Sequence, residues 1–94
     1  PEGYEGQIRA RSSLGKKGLI LPHSIGTIDS DYRGDLFVLM TWIGEGDSYI
    51  IEKGERIAQM VIAPIPKTQF KEVGLEHLGQ TKRGEGGFGS TGRF

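Results

Sequence analysis

Arginine, phenylalanine, serine and threonine are spaced by glycines in the run Arg83-Gly84-Glu85-Gly86-Gly87-Phe88-Gly89-Ser90-Thr91-Gly92. Glycine fills five of these ten positions, too many for a helix or strand to hold without a large entropic cost. The residues between the glycines are types that grip a phosphorylated base. Arg83 offers a planar fork of donors for phosphate, Ser90 and Thr91 add hydroxyls, the backbone N–H groups around Gly89 can wrap an anion, and Phe88 presents a stacking face. The expectation is a tail, mobile when alone, that orders over a nucleotide; the plainer readings are a disordered glycine-rich end or an Arg-Gly tail for nucleic acid.

Three interior segments carry further candidates. In Gly26-Thr27-Ile28-Asp29-Ser30-Asp31-Tyr32-Arg33-Gly34 a carboxylate directly follows the apolar Ile28 at a turn, and Gly26 lets the backbone approach something closely. Partly desolvated there, Asp29 can act as general base on a water, and Tyr32 can pack against a sugar face. The alternative is an ordinary hairpin whose Asp29 and Asp31 bond the turn backbone. Arg9, Arg11, Lys16 and Lys17 surround Ser12 and Ser13 at a strand end, where hydroxyls and turn N–H groups make an anion site; a solvated basic turn is the other reading. The segment lacks the GxxxxGK[ST] spacing of a P-loop. Gln59 lies inside an apolar run after the turn Gly54-Glu55-Arg56, and a buried amide there needs a partner, either a ligand or neighbouring backbone.

The elements that position these residues are short strands. Apolar runs at residues 7–11, 18–21, 36–43, 48–52, 57–65 and 69–73, separated by turns at 44–47 and 53–55, predict an all-β sandwich or barrel. Residues 12–17 make one helical turn, with Ser12 or Ser13 as N-cap. Pro64 and Pro66 interrupt the strongest run, so the chain is expected to leave the sheet there. A core over 1–82, of which 67–82 is a polar connector, and a tail over 83–94 follow. Ninety-four residues allow one domain, which at this size is helped by oligomerisation. Twelve basic residues balance twelve acidic ones, which disfavours stable nucleic-acid binding. With no cysteine there is neither a disulfide framework nor a thiolate metal site, and no run approaches the length of a membrane span. A soluble, cytoplasmic protein is expected. The start at Pro1 rather than Met predicts a fragment or a processed product.

Taken in order, RSSLGKKG, GTIDSDYRG, GERIAQM and RGEGGFGSTG resemble motifs two to five of the trimeric dUTP diphosphatase (dUTPase) family, from about Gln7 to the C-terminus. The resemblance implies a jelly-roll-like β-barrel or sandwich with a C-terminal arm, assembled as a homotrimer whose sites are shared among subunits. It also implies hydrolysis of dUTP to dUMP and pyrophosphate with Mg²⁺. Asp29 would be the catalytic base. Arg11, Ser12 and Ser13 would contact the phosphates, Ser12 near the leaving-group oxygen, Tyr32 would pack beneath deoxyribose and exclude a 2′-hydroxyl, and Gln59 would support the phosphate or subunit contacts. Gly26 and Ile28 would line the nucleoside hairpin, Arg83 would bind the terminal phosphate, Phe88 would cover uracil, and Gly89 and Ser90 would complete the cover. No residue of the chain is expected as a direct metal ligand. Two departures stand out: the family's first motif, of Ala-Gly-x-Asp type, is absent, so the N-terminal part of the domain is expected to be missing, and His23 stands where many bacterial members have Asn. A dCTP deaminase-type relative shares an Arg-Ser-Ser turn but not the GTIDSDYRG and GFGSTG runs together. A non-catalytic nucleotide-binding or regulatory protein of the same fold is the other alternative.

Overall fold

A computed structural model describes residues 1–94. In chain order the elements are β1 (Tyr4–Ala10), α1 (Ser12–Lys17), β2 (Leu19–Ile20), β3 (Gly26–Ile28), β4 (Thr41–Trp42), β5 (Ala58–Pro64) and a 3₁₀ turn at Leu75–His77. The architecture is all-β apart from these two short helical pieces. β1 is the centre of a three-stranded antiparallel sheet ordered β3-β1-β5, and β2 pairs with β4 in a second, two-stranded sheet.

Alternation along β1 gives its sheet two unlike faces. Gly6 and Ile8 are buried on one side, where the register sets them beside Ile28, Met60 and Ile62. Glu5, Gln7 and Arg9 point the other way and bond along the strand: Gln7 Nε2 donates to Glu5 Oε2 at 3.0 Å, and Arg9 Nη2 donates to Gln7 Oε1 at 2.6 Å. Gly6 has no side chain because the three strands close in on it. A Cβ there would lie 3.2 Å from the Ile28 Cβ and 3.4 Å from the Met60 sulfur.

Past Ala10 the chain coils into α1, which buries Leu14 and stops at Gly18, whose φ of 116° only glycine adopts readily. The expected serine cap does not form. Helical geometry already begins at Ser12, so extended Arg11 (φ −91°, ψ 132°) takes the N-cap position without a side-chain bond, and both serine hydroxyls are left free of capping.

Of the predicted strands, residues 18–21 and 57–65 correspond to β2 and β5, and residues 7–11 to the second half of β1. Within 36–43 only Thr41 and Trp42 pair, while 48–52 and 69–73 form no strand; the segment read as a turn at 26–34 instead begins with β3. A strand exists by its neighbour's backbone as much as by its own propensity, and beyond Thr41 to Ile43 these apolar runs pair with no backbone in the chain. The consequence is visible throughout. There are 29 backbone–backbone hydrogen bonds, against roughly 60 for a compact chain of this length. The radius of gyration is 19.5 Å where about 12 Å is usual. The core is confined to Ile8, Leu14, Leu19 and Leu21, and Leu36, Phe37, Leu39, Ile43, Ile50 and Ile62 all stand exposed. The chain lays out one wall of a β-architecture with its apolar face open.

Candidate active site

The end of β3 builds the first part of the site. Ile28 pairs with Gly6, and Tyr32 N–H donates to the Asp29 carbonyl at 3.1 Å to close the turn that follows. Arg33 Nη1 ties the same turn by donating to the carbonyls of Ser30 (2.8 Å) and Tyr32 (3.0 Å). Neither aspartate carboxylate bonds the turn backbone. Tyr32 is locked in turn. Its hydroxyl donates to the Asp35 carbonyl at 2.6 Å, and its ring lies so close over Gly34 that a Cβ there would collide with it.

Gly26, Ile28, Asp29 and Tyr32 thereby line one cleft of about 220 Å³, together with Ile8, His23, Phe37 and Leu39. A Cβ on Gly26 would meet the His23 ring at 3.2 Å and the Ile8 Cβ at 3.4 Å, so the bare glycine is what lets His23 lie against the cleft. Asp29 also faces a polar hollow of about 630 Å³ formed with Glu2, Asp31 and Arg33. It thus stands between an apolar compartment and a polar one. Contrary to the expectation of partial desolvation, the residue is exposed, because nothing in the chain roofs it.

The second part lies at the other end of β1. Gln59 pairs with Arg9 on the polar face and is exposed rather than buried; its Nε2 donates to the Ala10 carbonyl at 3.0 Å. Of the two partners open to Gln59 from sequence, backbone is the one it has. This bond fixes the peptide immediately before Arg11, Ser12 and Ser13, of which Arg11 is half-buried and the serines are exposed. The register separates this group from Asp29. Asp29 falls level with Glu5, six residues before Arg11, so about 20 Å of strand lies between them.

The third part is the glycine-rich tail. Ile65 N–H donates to the Gly3 carbonyl at 2.8 Å, and beyond it every hydrogen bond is local. Turns close from Gly86 N–H to the Arg83 carbonyl (3.0 Å), Ser90 N–H to Gly87 (2.9 Å) and Gly92 N–H to Gly89 (3.1 Å), while Arg83 Nε donates to the Gly86 carbonyl at 2.6 Å. Arg83 and Ser90, with Lys82 and Thr91, border a hollow of about 410 Å³. Gly89 turns through φ 75°, and Phe88 is fully exposed and joins none of the other residues. The structure therefore brings together Gly26, Ile28, Asp29 and Tyr32, separately Arg11, Ser12, Ser13 and Gln59, and separately again Arg83 and Ser90.

Phe37, Leu39 and Asp35 in the first cleft were not among the residues expected from sequence. Phe37 and Leu39 lie two apart within the continuous apolar run Leu36 to Met40, so no alternation marks them out from Leu36, Val38 and Met40 in the sequence. No group of three or more His, Cys, Asp or Glu side chains gathers to hold a metal ion, and no helix is long and apolar enough to cross a membrane.

A family model described as dUTPase matches residues 1–92. The chain is 50% identical over 93 residues to a deoxyuridine 5′-triphosphate nucleotidohydrolase of Anaplasma marginale, covering 98% of this chain and 61% of that protein. A protein of the same name from Dinoroseobacter shibae is 56% identical over 94 residues, with 99% and 59% covered. The chain thus spans about three-fifths of the length of the curated relatives it matches. Among solved structures, the Staphylococcus bacteriophage 80alpha dUTPase with dUPNHPP superimposes with a TM-score of 0.78 at 34% identity, covering 99% of this chain and 69% of that one. The fold is accordingly all-β and jelly-roll-like.

Proposed function

The chain belongs to the dUTPase family, and from that premise we propose that it is the larger part of a dUTP diphosphatase, which hydrolyses dUTP to dUMP and pyrophosphate at sites shared between copies of the chain in a homotrimer. The observation that carries the shared site is the separation along β1. A general base and a leaving-group contact on one phosphorus must both lie within hydrogen-bond reach of it. Asp29 falls level with Glu5, six residues or about 20 Å of extended chain before Arg11, and Ser12 lies just beyond Arg11 at the start of α1, a separation that favours a pair drawn from two copies. The tail, which bonds only within itself beyond Ile65, is free to serve a third.

On this reading each residue has a role. The nucleoside occupies the Asp29 cleft, with Gly26 and Ile28 presenting backbone along the base and Tyr32 beneath deoxyribose, held too rigidly to admit a 2′-hydroxyl. Asp29, at the border of the apolar and polar hollows, takes a proton from water as the water oxygen bonds the α-phosphorus. The bond from that phosphorus to the bridging oxygen breaks, and pyrophosphate leaves. Arg11, Ser12 and Ser13 of another copy receive the phosphates, and Gln59 holds their peptide in place through Ala10. Arg83 binds the terminal phosphate, Gly89 and Ser90 add donors, and Phe88 stacks over uracil. The triphosphate carries roughly four negative charges, so cationic neutralisation must precede attack by an anionic oxygen. Mg²⁺ supplies part of that neutralisation when bound; it prefers oxygen ligands and retains water, which suits an ion held by the phosphates rather than by this chain. Residues 1–82 are the β core, with 67–82 a connector, and 83–94 the nucleotide cover. A nucleotide substrate of this kind suits a cytoplasmic location and no stable nucleic-acid partner.

The test is direct. The full-length protein, given dUTP and Mg²⁺, should release pyrophosphate and dUMP and should leave UTP untouched. Ammonia release from dCTP would favour the deaminase relative, and binding of dUTP without turnover would favour a non-catalytic protein.

A further inference from the structure

The turn that carries Arg11, Ser12 and Ser13 is held at both ends. In front, Gln59 fixes the Ala10 carbonyl. Behind, α1 stops at Gly18, whose carbonyl accepts the Ile43 N–H at 2.8 Å, and the two backbones cross so closely that a Cβ on Gly18 would run into the backbone of Gly44. The crossing is equally tight from the other side. A Cβ on Gly44 would collide with the Lys17 carbonyl and the Trp42 ring.

Trp42 secures the far side of that crossing. Its indole N–H donates to the carbonyls of Glu45 and Gly46, both at 3.2 Å, and its ring lies 5.2 Å from that of Tyr49 at a tilt of 37°. The Tyr49 hydroxyl donates to Glu55 Oε2 at 3.0 Å, and Glu55 leads directly into the strand that bears Gln59. A series of contacts therefore runs from the back of α1 to Glu55, three residues before the strand that bears Gln59. None of these residues lines the Asp29 cleft.

We propose that Trp42, Gly44, Tyr49 and Glu55 are positioning residues for the phosphate-binding turn, forming a brace that links the back of α1 to the segment entering β5 so that Arg11, Ser12 and Ser13 meet the phosphates in one geometry. The inference rests on the phosphate reading of that turn. Charged hydrogen bonds to phosphate are strongly geometric, and a displacement of about 1 Å transmitted from outside the site can cost about 10²-fold in rate. A brace that acts only on this turn must therefore alter recognition of the β- and γ-phosphates and leave the nucleoside end alone.

The experiment uses the full-length protein and two probes, dUMP and a non-hydrolysable imido analogue of dUTP, whose affinities are compared by calorimetry. Gly44→Ala should lower the preference for the analogue over dUMP by about tenfold, and Tyr49→Phe, which keeps the ring but removes the bond to Glu55, by about threefold, with dUMP affinity unchanged in both. A loss of stability alone would not move that preference. If Gly44→Ala does not fold, Tyr49→Phe decides the matter. An unaltered preference, or an equal loss of affinity for both probes, overturns the brace. An unsubstituted protein that gains no affinity from the two added phosphates overturns instead the phosphate reading of the turn, and the brace with it.

Discussion

The turn at residues 11–13 and the tail at 83–92 both offer an arginine, serine hydroxyls and backbone donors, yet they are held in opposite ways. The turn is fixed by residues distant in sequence, through the bond from Gln59 to Ala10 and the crossing of Gly18 with Gly44. The tail is shaped by its own tight turns, and every hydrogen bond it makes is local. The same donor chemistry is thus offered once as a preorganised surface and once as a segment that must be ordered by what it covers. Preorganised donors favour the chemical step, whereas a segment ordered on binding favours capture of the ligand at an entropic cost.

Substitutions in the two regions should separate these effects. Asp29→Asn in the built cleft should lower kcat by about 10²–10⁴-fold with nucleotide affinity nearly intact, because the amide is close in shape but accepts no proton from water. Turnover near the unsubstituted rate would remove Asp29 from the role of base. Phe88→Ala in the tail should instead weaken binding by about 1–3 kcal/mol, the worth of a base–aromatic stack, and leave the oligomer unchanged by sedimentation. Arg83→Lys should act in the same direction as Phe88→Ala, since a point charge does not reproduce a bidentate fork. If either tail variant changed kcat alone, the division between preorganised and ordering donors would fail.

The smallest effect belongs to the brace. The hydrogen bond to Glu55 chiefly, then partial burial and the negative charges of Glu55 and Glu52, raises the Tyr49 pKa above its ordinary value of 10.0. A raised acid is held neutral by the fold, so its contribution to stability is complete below the unfolded pKa and is lost as pH rises through the folded one. In the ultraviolet titration of tyrosinate, one tyrosine should ionise late, and Glu55→Gln should bring it back toward the others. An unchanged titration would mean that the Tyr49–Glu55 bond is absent in solution.

Local chemistry was legible in the sequence, and long-range partnership was not. Gly26, Ile28, Asp29 and Tyr32 do gather because one turn carries them, and turns are written in neighbouring residues. α1 and β5 were legible for the same reason. β3 is not legible because three residues beginning with glycine carry too little apolar pattern, and 36–43 and 48–52 look like strands because their apolar residues suit a sheet that this chain does not by itself complete. Gly44 reads as a turn glycine, and only the crossing with Gly18 reveals why a side chain is excluded there. The distance between Asp29 and Arg11 depends on register, which no single segment encodes.

That distance is the centre of the account, and mixing tests it most directly. Full-length Asp29→Asn and Arg11→Ala proteins, each nearly inactive alone, are unfolded together at equal ratio and refolded, and dUTP hydrolysis is measured once mixed oligomers have been demonstrated by mass. If Asp29 and Arg11 of one site come from different copies, each required donor is present with even odds and roughly a quarter of the sites should be whole, restoring about a quarter of the unsubstituted activity. A mixture that contains both chains in the same oligomers and remains as inactive as its components would contradict the shared site.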